Sequence, residues 1–469
     1  MFPIIELPEI VRHYTTWFEA IFSEEALIQF QRYLSGLILS ENKTVAGINR
    51  IMVYESRNQS SLNRLLTSTS YSERELNQQR LALLDSLPDT RMKAKGVLSV
   101  DDTHLIHYGQ AFDGIAILWD PVGKRYAPAH NLVTLHYSDD QTDYPLYYQL
   151  WQPAELARIE RGLLAAGVQL RADKVALKES KPKKWRQYLL GVWSRKQADP
   201  QIAALYESKL LIARRQLAQF VAANPELNVP VTFDNWYTQP AFCRYLSDEL
   251  NLPYVGTLAD DDQVVLKGGK ERLEAFANRL KAEHLAAIEA GEKGIFHKIT
   301  ISYKGEQEQY YSYCRTHTIH NFGKQRLVIN FSRADLSDSP RFYNSNRLNW
   351  QATGISRIRR HRWPVEVYHQ EGKAEGLDKY QVRDLQAISR HIGLVATTYS
   401  LLRAASHDHA LKHKLQRQLK YNLATSAPAW RRATQAQSLW SLATFIAVGI
   451  AQGQSLTELL SPLVAQLYA

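Results

Sequence analysis

Residues 96–102 read GVLSVDD and residues 229–234 read VPVTFD. Each is a short apolar run ending in aspartate, with a hydroxyl residue two positions before that aspartate. Side chains alternate faces along a strand, so Ser99 shares a face with Asp101 and Thr232 with Asp234, while Val100 and Phe233 turn to the core. The pattern favours Asp101 as the partner of Asp234 and leaves Asp102 as the alternative. Either aspartate alone is more commonly the start of a loop.

Around the first run the hydrophobic period is two: AFDGIAILWDP, NLVTLHYS and YPLYYQLW follow, punctuated by Gly, Asp and Pro, and read as hairpin strands. A polar stretch, ADKVALKESKPKKWRQ, then leads to an amphipathic helix through ALYESKLLIARRQLAQFVAA and to the second aspartate strand. The order is β-β-β-α-β. Residues 1–95 have helical spacing throughout, and Ser72 with Glu75 predicts a capping box.

Further on, residues 362–373 read RWPVEVYHQEGK, just after the basic run SRIRRH. Pro364 suits the first turn of a helix, and Glu366 then lies where the helix dipole favours an acid, with or without chemistry. Seven residues make nearly two turns, so Lys373 shares the face of Glu366 about 10 Å along it, with His369 and Gln370 between. Arg362 can grip a phosphate with two nitrogens. Trp363 and Tyr368 are expected in the core. SRIRRH, with Arg359 and Arg360, reads either as a solvated basic face or as a surface that tracks a DNA backbone.

Three carboxylates, Asp101, Asp234 and Glu366, repel one another unless they hold cations. Two Mg²⁺ ions, with Mn²⁺ as a substitute, would neutralise them and activate a nucleophile for attack on phosphorus. Lys and Arg outnumber Asp and Glu by 57 to 47 in the 469 residues, a modest excess that favours a polyanionic partner. Cys243 and Cys314 are too few for a disulfide framework or a thiolate zinc site, and no Walker or dinucleotide fingerprint occurs. MFPIIELPEIVRHY lacks the form of an export signal, so a cytoplasmic protein is expected. LWSLATFIAVGIA (439–451) is too short to cross a bilayer and is expected to be a buried helix.

Arg362, WPV, Glu366, VYHQEG and Lys373 resemble the C-terminal signature of DDE transposases of bacterial insertion sequences. The likeness is to the insertion-sequence 4 group and its 701-type relatives, whose signature runs tyrosine, two residues, arginine, three residues, glutamate, six residues, lysine. Arg359 stands at the tyrosine position. SVDDTH and VTFDNWY, followed by LPYVGTLADD, are similar to the two aspartate blocks, and the loose resemblance spans residues 30–405.

The resemblance implies an α/β fold with an RNase H-like core, a mixed sheet with flanking helices, interrupted by a β-rich insertion. It implies catalytic and metal-binding roles for Asp101, Asp234 and Glu366, and DNA contacts from Arg359, Arg360, Arg362, His369 and Lys373. The expected organisation is a helical DNA-binding region at 1–95, core at 96–254, insertion at 255–350, core again at 351–405 and C-terminal helices at 406–469. The expected activity is cleavage of double-stranded DNA at terminal inverted repeats and transfer to target DNA, carried out by a homodimer. Rival readings are a metal-dependent nuclease or resolvase on the same core, and a non-catalytic DNA-binding descendant.

Overall fold

The computed structural model describes residues 3–53, 57–109 and 111–468. The chain begins with helices α1 (Glu9–Tyr14), α2 (Glu24–Leu39), α3 (Val45–Ile51), α4 (Gln59–Thr67) and α5 (Glu73–Ser86). Ser72 Oγ accepts from the Glu75 amide at 3.2 Å, the backbone half of the capping box that the sequence signals.

Strands β1 (Val97–Ile106), β2 (Ala116–Asp120), β3 (Arg125–Ser138) and β4 (Asp143–Trp151) follow as an antiparallel set centred on β3. The polar stretch expected after β4 is instead helical: α6 (Leu156–Ala165), α7 (Ala172–Val175), α8 (Leu177–Ser180), α9 (Pro182–Arg195) and α10 (Pro200–Ala203). These short helices bury Ile159, Leu163, Trp185, Leu189 and Trp193 in a small core of their own. Charged residues on their outer faces masked that apolar stripe in the sequence.

Helix α11 (Lys209–Ala223) leads to β5 (Val231–Phe233), α12 (Pro240–Arg244) and β6 (Tyr254–Leu258). Both β5 and β6 are parallel additions: β5 pairs with β1, and β6 pairs with β5. Across the sheet the order β4-β3-β1-β5-β6, antiparallel then parallel, is that of an RNase H-like core.

The next strands are β7 (Gln263–Leu266) and β8 (Gly269–Arg272), then helix α13 (Leu273–Glu289), β9 (His297–Tyr303), β10 (Glu306–Ile319), β11 (Gly323–Phe331) and β12 (Arg341–Ser345). They extend the core sheet, because β12 pairs with β6 on one side and β11 on the other. A boundary at residue 255 would cut through β6, so the added strands begin only after Leu258. Their own core, with Val264, Phe276, Leu280, Phe296 and Ile329, lies under α13.

The chain ends in α14 (Ala352–Arg360), α15 (Trp363–Ala374), α16 (Leu385–His407), α17 (His409–Leu419), α18 (Ala427–Ala451) and α19 (Leu456–Tyr468). Helix α16 is buried along most of its length, and one continuous hydrophobic core joins it to the N-terminal helices and to strands β1, β3 and β4. Asp143, at the start of β4, ties three regions together. It accepts from Arg403 of α16 and from Lys304 in the β9–β10 turn, both at 3.0 Å, and from Tyr399 at 2.9 Å. A buried carboxylate is tolerable only with such partners.

Residues 439–451 do form a helix, but not a buried one: Trp440 is 55% exposed, and Leu439, Phe445, Val448 and Ile450 are exposed with it. Apolar composition predicted a helix inside, whereas only the first half of α18 meets the core. Among the described residues no helix is long and apolar enough to cross a membrane.

Candidate active site

In the parallel pairing of β1 with β5, Ser99 stands opposite Thr232 and Val100 opposite Phe233. Asp101, midway along β1, and Asp234, just past the end of β5, are therefore the next residues of adjacent strands, about one strand spacing of 5 Å apart. Backbone amides hold Asp234 in a tight turn: its Oδ1 accepts from Trp236 at 3.0 Å and from Tyr237 at 3.2 Å. Burial raises the pKa of Asp234. Burial also pushes Asp101 up to about 7, with Arg362 opposing and Asp234 and Asp102 adding to the rise. Charging both aspartates here is costly without a cation.

Asp102 points to the other face and is fully engaged there. Its Oδ2 accepts from Lys209 at 2.8 Å and from Asn131 at 2.5 Å, and its Oδ1 from the Tyr237 hydroxyl at 3.0 Å. Although burial opposes ionisation, Lys209 and these donors hold its pKa below the usual carboxylate value. Lys209 itself lies between the rings of Trp151 and Trp236. Lys209, Asn131 and Tyr237 were not legible in the sequence, because nothing local marks residues whose partner lies 107, 29 and 135 positions away.

The third acid arrives on a helix break. Between α14 and α15 only His361 and Arg362 intervene, and the His361 carbonyl accepts from Ser99 Oγ at 2.9 Å and from Ser138 Oγ at 3.1 Å. A helix-end carbonyl is thus satisfied by hydroxyls from β1 and β3, which fixes α15 across the strand ends. Ser99 does this from the face it shares with Asp101. Glu366 lies in the first turn of α15.

Arg362 joins the acids. Its Nη1 donates to Asp101 Oδ2 at 2.7 Å and its Nη2 donates to Glu366 Oε1. Asp234 also feels its charge. Asp101 and Glu366 are thereby linked by a residue predicted to bind DNA, and Asp234 stands on the neighbouring strand within the influence of the same charge. Among the described residues no three carboxylate or imidazole groups stand together closely enough to hold one metal ion, since a guanidinium lies between two of the acids.

The remaining predicted DNA contacts divide. Lys373 is half-buried, and among the described residues no carboxylate lies within ion-pair distance of it. His369 corrects the helical-wheel expectation: it is buried, 3.0 Å from Thr134 Oγ1, because that face of α15 lies against β3. Arg360 pairs with Glu308 at 2.7 Å over the Tyr303 ring, and Arg359 donates to Thr257 Oγ1 at 2.9 Å. The basic run is thus tied to core strand β6 through Arg359 and to the inserted strand β10 through Arg360, rather than solvated along its length.

Trp363, expected in the core, is 46% exposed. It borders a cavity of about 700 Å³ beside Asp234, walled also by Arg341, Arg359, Arg360 and Arg362. Its place at the very start of α15, on a break between helices, is the feature that could have flagged it.

An RNase H-like sheet with acids on adjoining strands and arginines beside them defines a nuclease-type enzyme. A family model described as DDE superfamily endonuclease matches residues 18–273, more than half of the chain, and the protein belongs to that family. The match includes Asp101 and Asp234 and stops short of Glu366. The family implies a DNA substrate, and its nucleases typically use divalent metals. A comparison with curated proteins finds no match.

Proposed function

We propose that the protein is an insertion-sequence transposase that cleaves DNA at the ends of its element and joins them to a target. In this reading Asp101, Asp234 and Glu366 are the metal ligands. The observation that carries it is the meeting of these acids, from two strands and a distant helix, around the cation of Arg362. The residues fit divalent ions: all three are hard oxygen donors, Asp101 and Asp234 are raised in pKa by burial, and Asp101 and Glu366 already draw in a positive charge.

Two Mg²⁺ ions bound there, or Mn²⁺ in their place, would activate water or a 3′-hydroxyl for in-line attack on phosphorus. The chain supplies the rest. Tyr237 and Trp236 amides fix the Asp234 carboxylate, and the serine clamp on His361 fixes the start of α15. Lys373 and the arginines around the cavity hold the phosphodiester backbone. The insertion-sequence 4 likeness of Arg362, Glu366 and Lys373 favours strand transfer by a homodimer on paired ends over simple hydrolysis.

The test uses purified protein, Mg²⁺ and duplexes carrying the sequences that flank the gene. Nicked ends and joined products are expected. Asp101→Asn, Asp234→Asn and Glu366→Gln should each lower both by about 100-fold or more while gel-shift binding persists. Cleavage without any joined product would favour the nuclease reading, and full activity in one variant would remove that residue from the site.

A further inference from the structure

Arg362 is in an unusual place for a DNA contact. Its side chain is 14% exposed, and both of its terminal nitrogens are committed to acids, one to Asp101 and one to Glu366. Its Nε is buried without a partner. The guanidinium therefore sits between two of the three acids, where a divalent ion would have to contact both. A guanidinium and a metal ion cannot share that space, and their charges repel.

Resting on the metal-binding role of the acids, we propose that Arg362 is a positioning residue that acts as a resident counter-cation. It holds the site together before metal enters and must be displaced for metal to bind. The cavity beside Asp234 gives the side chain somewhere to go. That cavity already gathers Arg341, Arg359 and Arg360. It is a place where a phosphate of the DNA backbone can accept the two nitrogens that Arg362 withdraws from the acids. Like charges repel, so Arg341, Arg359 and Arg360 around the cavity make the unaided move unfavourable. Metal loading is in this way coupled to DNA arrival, because the backbone phosphate is what gives Arg362 a second partner.

The arithmetic sets the size of the effect. If the displaced arrangement is populated at about 10% in the free protein, the apparent metal affinity falls about tenfold below its intrinsic value. Removing the guanidinium lifts that penalty.

The experiment titrates Mn²⁺ into the full-length protein without DNA at pH 8, with affinity read by calorimetry. The proteins are the unsubstituted chain, Arg362→Gln, Arg362→Lys, Asp101→Asn and the Arg362→Gln/Asp101→Asn double variant. Thermal melts confirm that each is folded, and Arg362→Lys, which can reach only one acid at a time, serves if Arg362→Gln is not. Arg362→Gln is expected to bind about tenfold more tightly than the unsubstituted protein, with Arg362→Lys between them and the gain lost in the double variant.

Equal or weaker binding by Arg362→Gln, with Asp101→Asn still abolishing it, would overturn the counter-cation while leaving the acids as ligands. Binding indifferent to Asp101 in every protein would instead remove the metal site on which the inference rests. A second arm adds a short duplex of arbitrary sequence with Ca²⁺ as the probe ion. The duplex should tighten ion binding to the unsubstituted protein and leave Arg362→Gln unchanged, and equal tightening in both would overturn the coupling to DNA.

Discussion

Arg362 and Asp101 are 261 positions apart in the chain and 2.7 Å apart in the fold. That one ion pair connects the middle of the central strand β1 to the helix that carries Glu366, and so links the half of the molecule matched by the family model to the half beyond it. It also makes the position of Glu366 depend on contacts made far from α15. The following expectations test those contacts.

Asp102 supports the site from the opposite face of β1. Asp102→Asn keeps the shape but loses the charge that holds Lys209, so stability should fall by about 1–3 kcal/mol in chemical denaturation. Cleavage should drop without vanishing, since Tyr237 would hold the Asp234 turn less firmly. Complete loss of metal binding in this variant would instead place Asp102 among the ligands.

The serine clamp on His361 is a second support. Replacing Ser99 and Ser138 together with alanine leaves a buried carbonyl without donors, at a cost of about 1–3 kcal/mol. Cleavage should fall further than in either single variant, because one hydroxyl suffices to hold the turn. Additive small effects in the double variant would show that the clamp does not position α15.

Lys373 lies on the face of α15 that continues from Glu366, with no acid paired to it among the described residues. Lys373→Ala should weaken duplex binding at all sequences and lower the slope of log affinity against log salt by about one. An unchanged slope in a salt titration would return Lys373 to an ordinary surface charge.

Buried neutral histidines make the fold sensitive to acid. Burial pushes His369 down to about 3 and His391 down to about 4 from the ordinary 6.5. Between those values the unfolded chain binds protons that the folded chain does not, so stability is full above pH 6.5 and falls as the pH drops. At pH 5 each should cost about 2 kcal/mol relative to pH 8. Melts of His369→Gln, which cannot titrate, should show a shallower decline over that range than the unsubstituted protein.

Legible in the residues alone were the alternation that sets Ser99 and Asp101 on one face, the likeness of the two aspartate strands, and the helical interval from Arg362 through Glu366 to Lys373. These are properties of a few neighbouring residues, fixed by the periods of strand and helix. The folded packing, by contrast, assigns Asp102 to Lys209 and Tyr237, and buries His369 while leaving Trp363 exposed. Packing likewise ties the basic run to β6 and β10 and leaves the distal half of α18 outside the core. In each case the outcome depends on which distant segment packs against a face, and periodicity says which residues share a face but not what covers it.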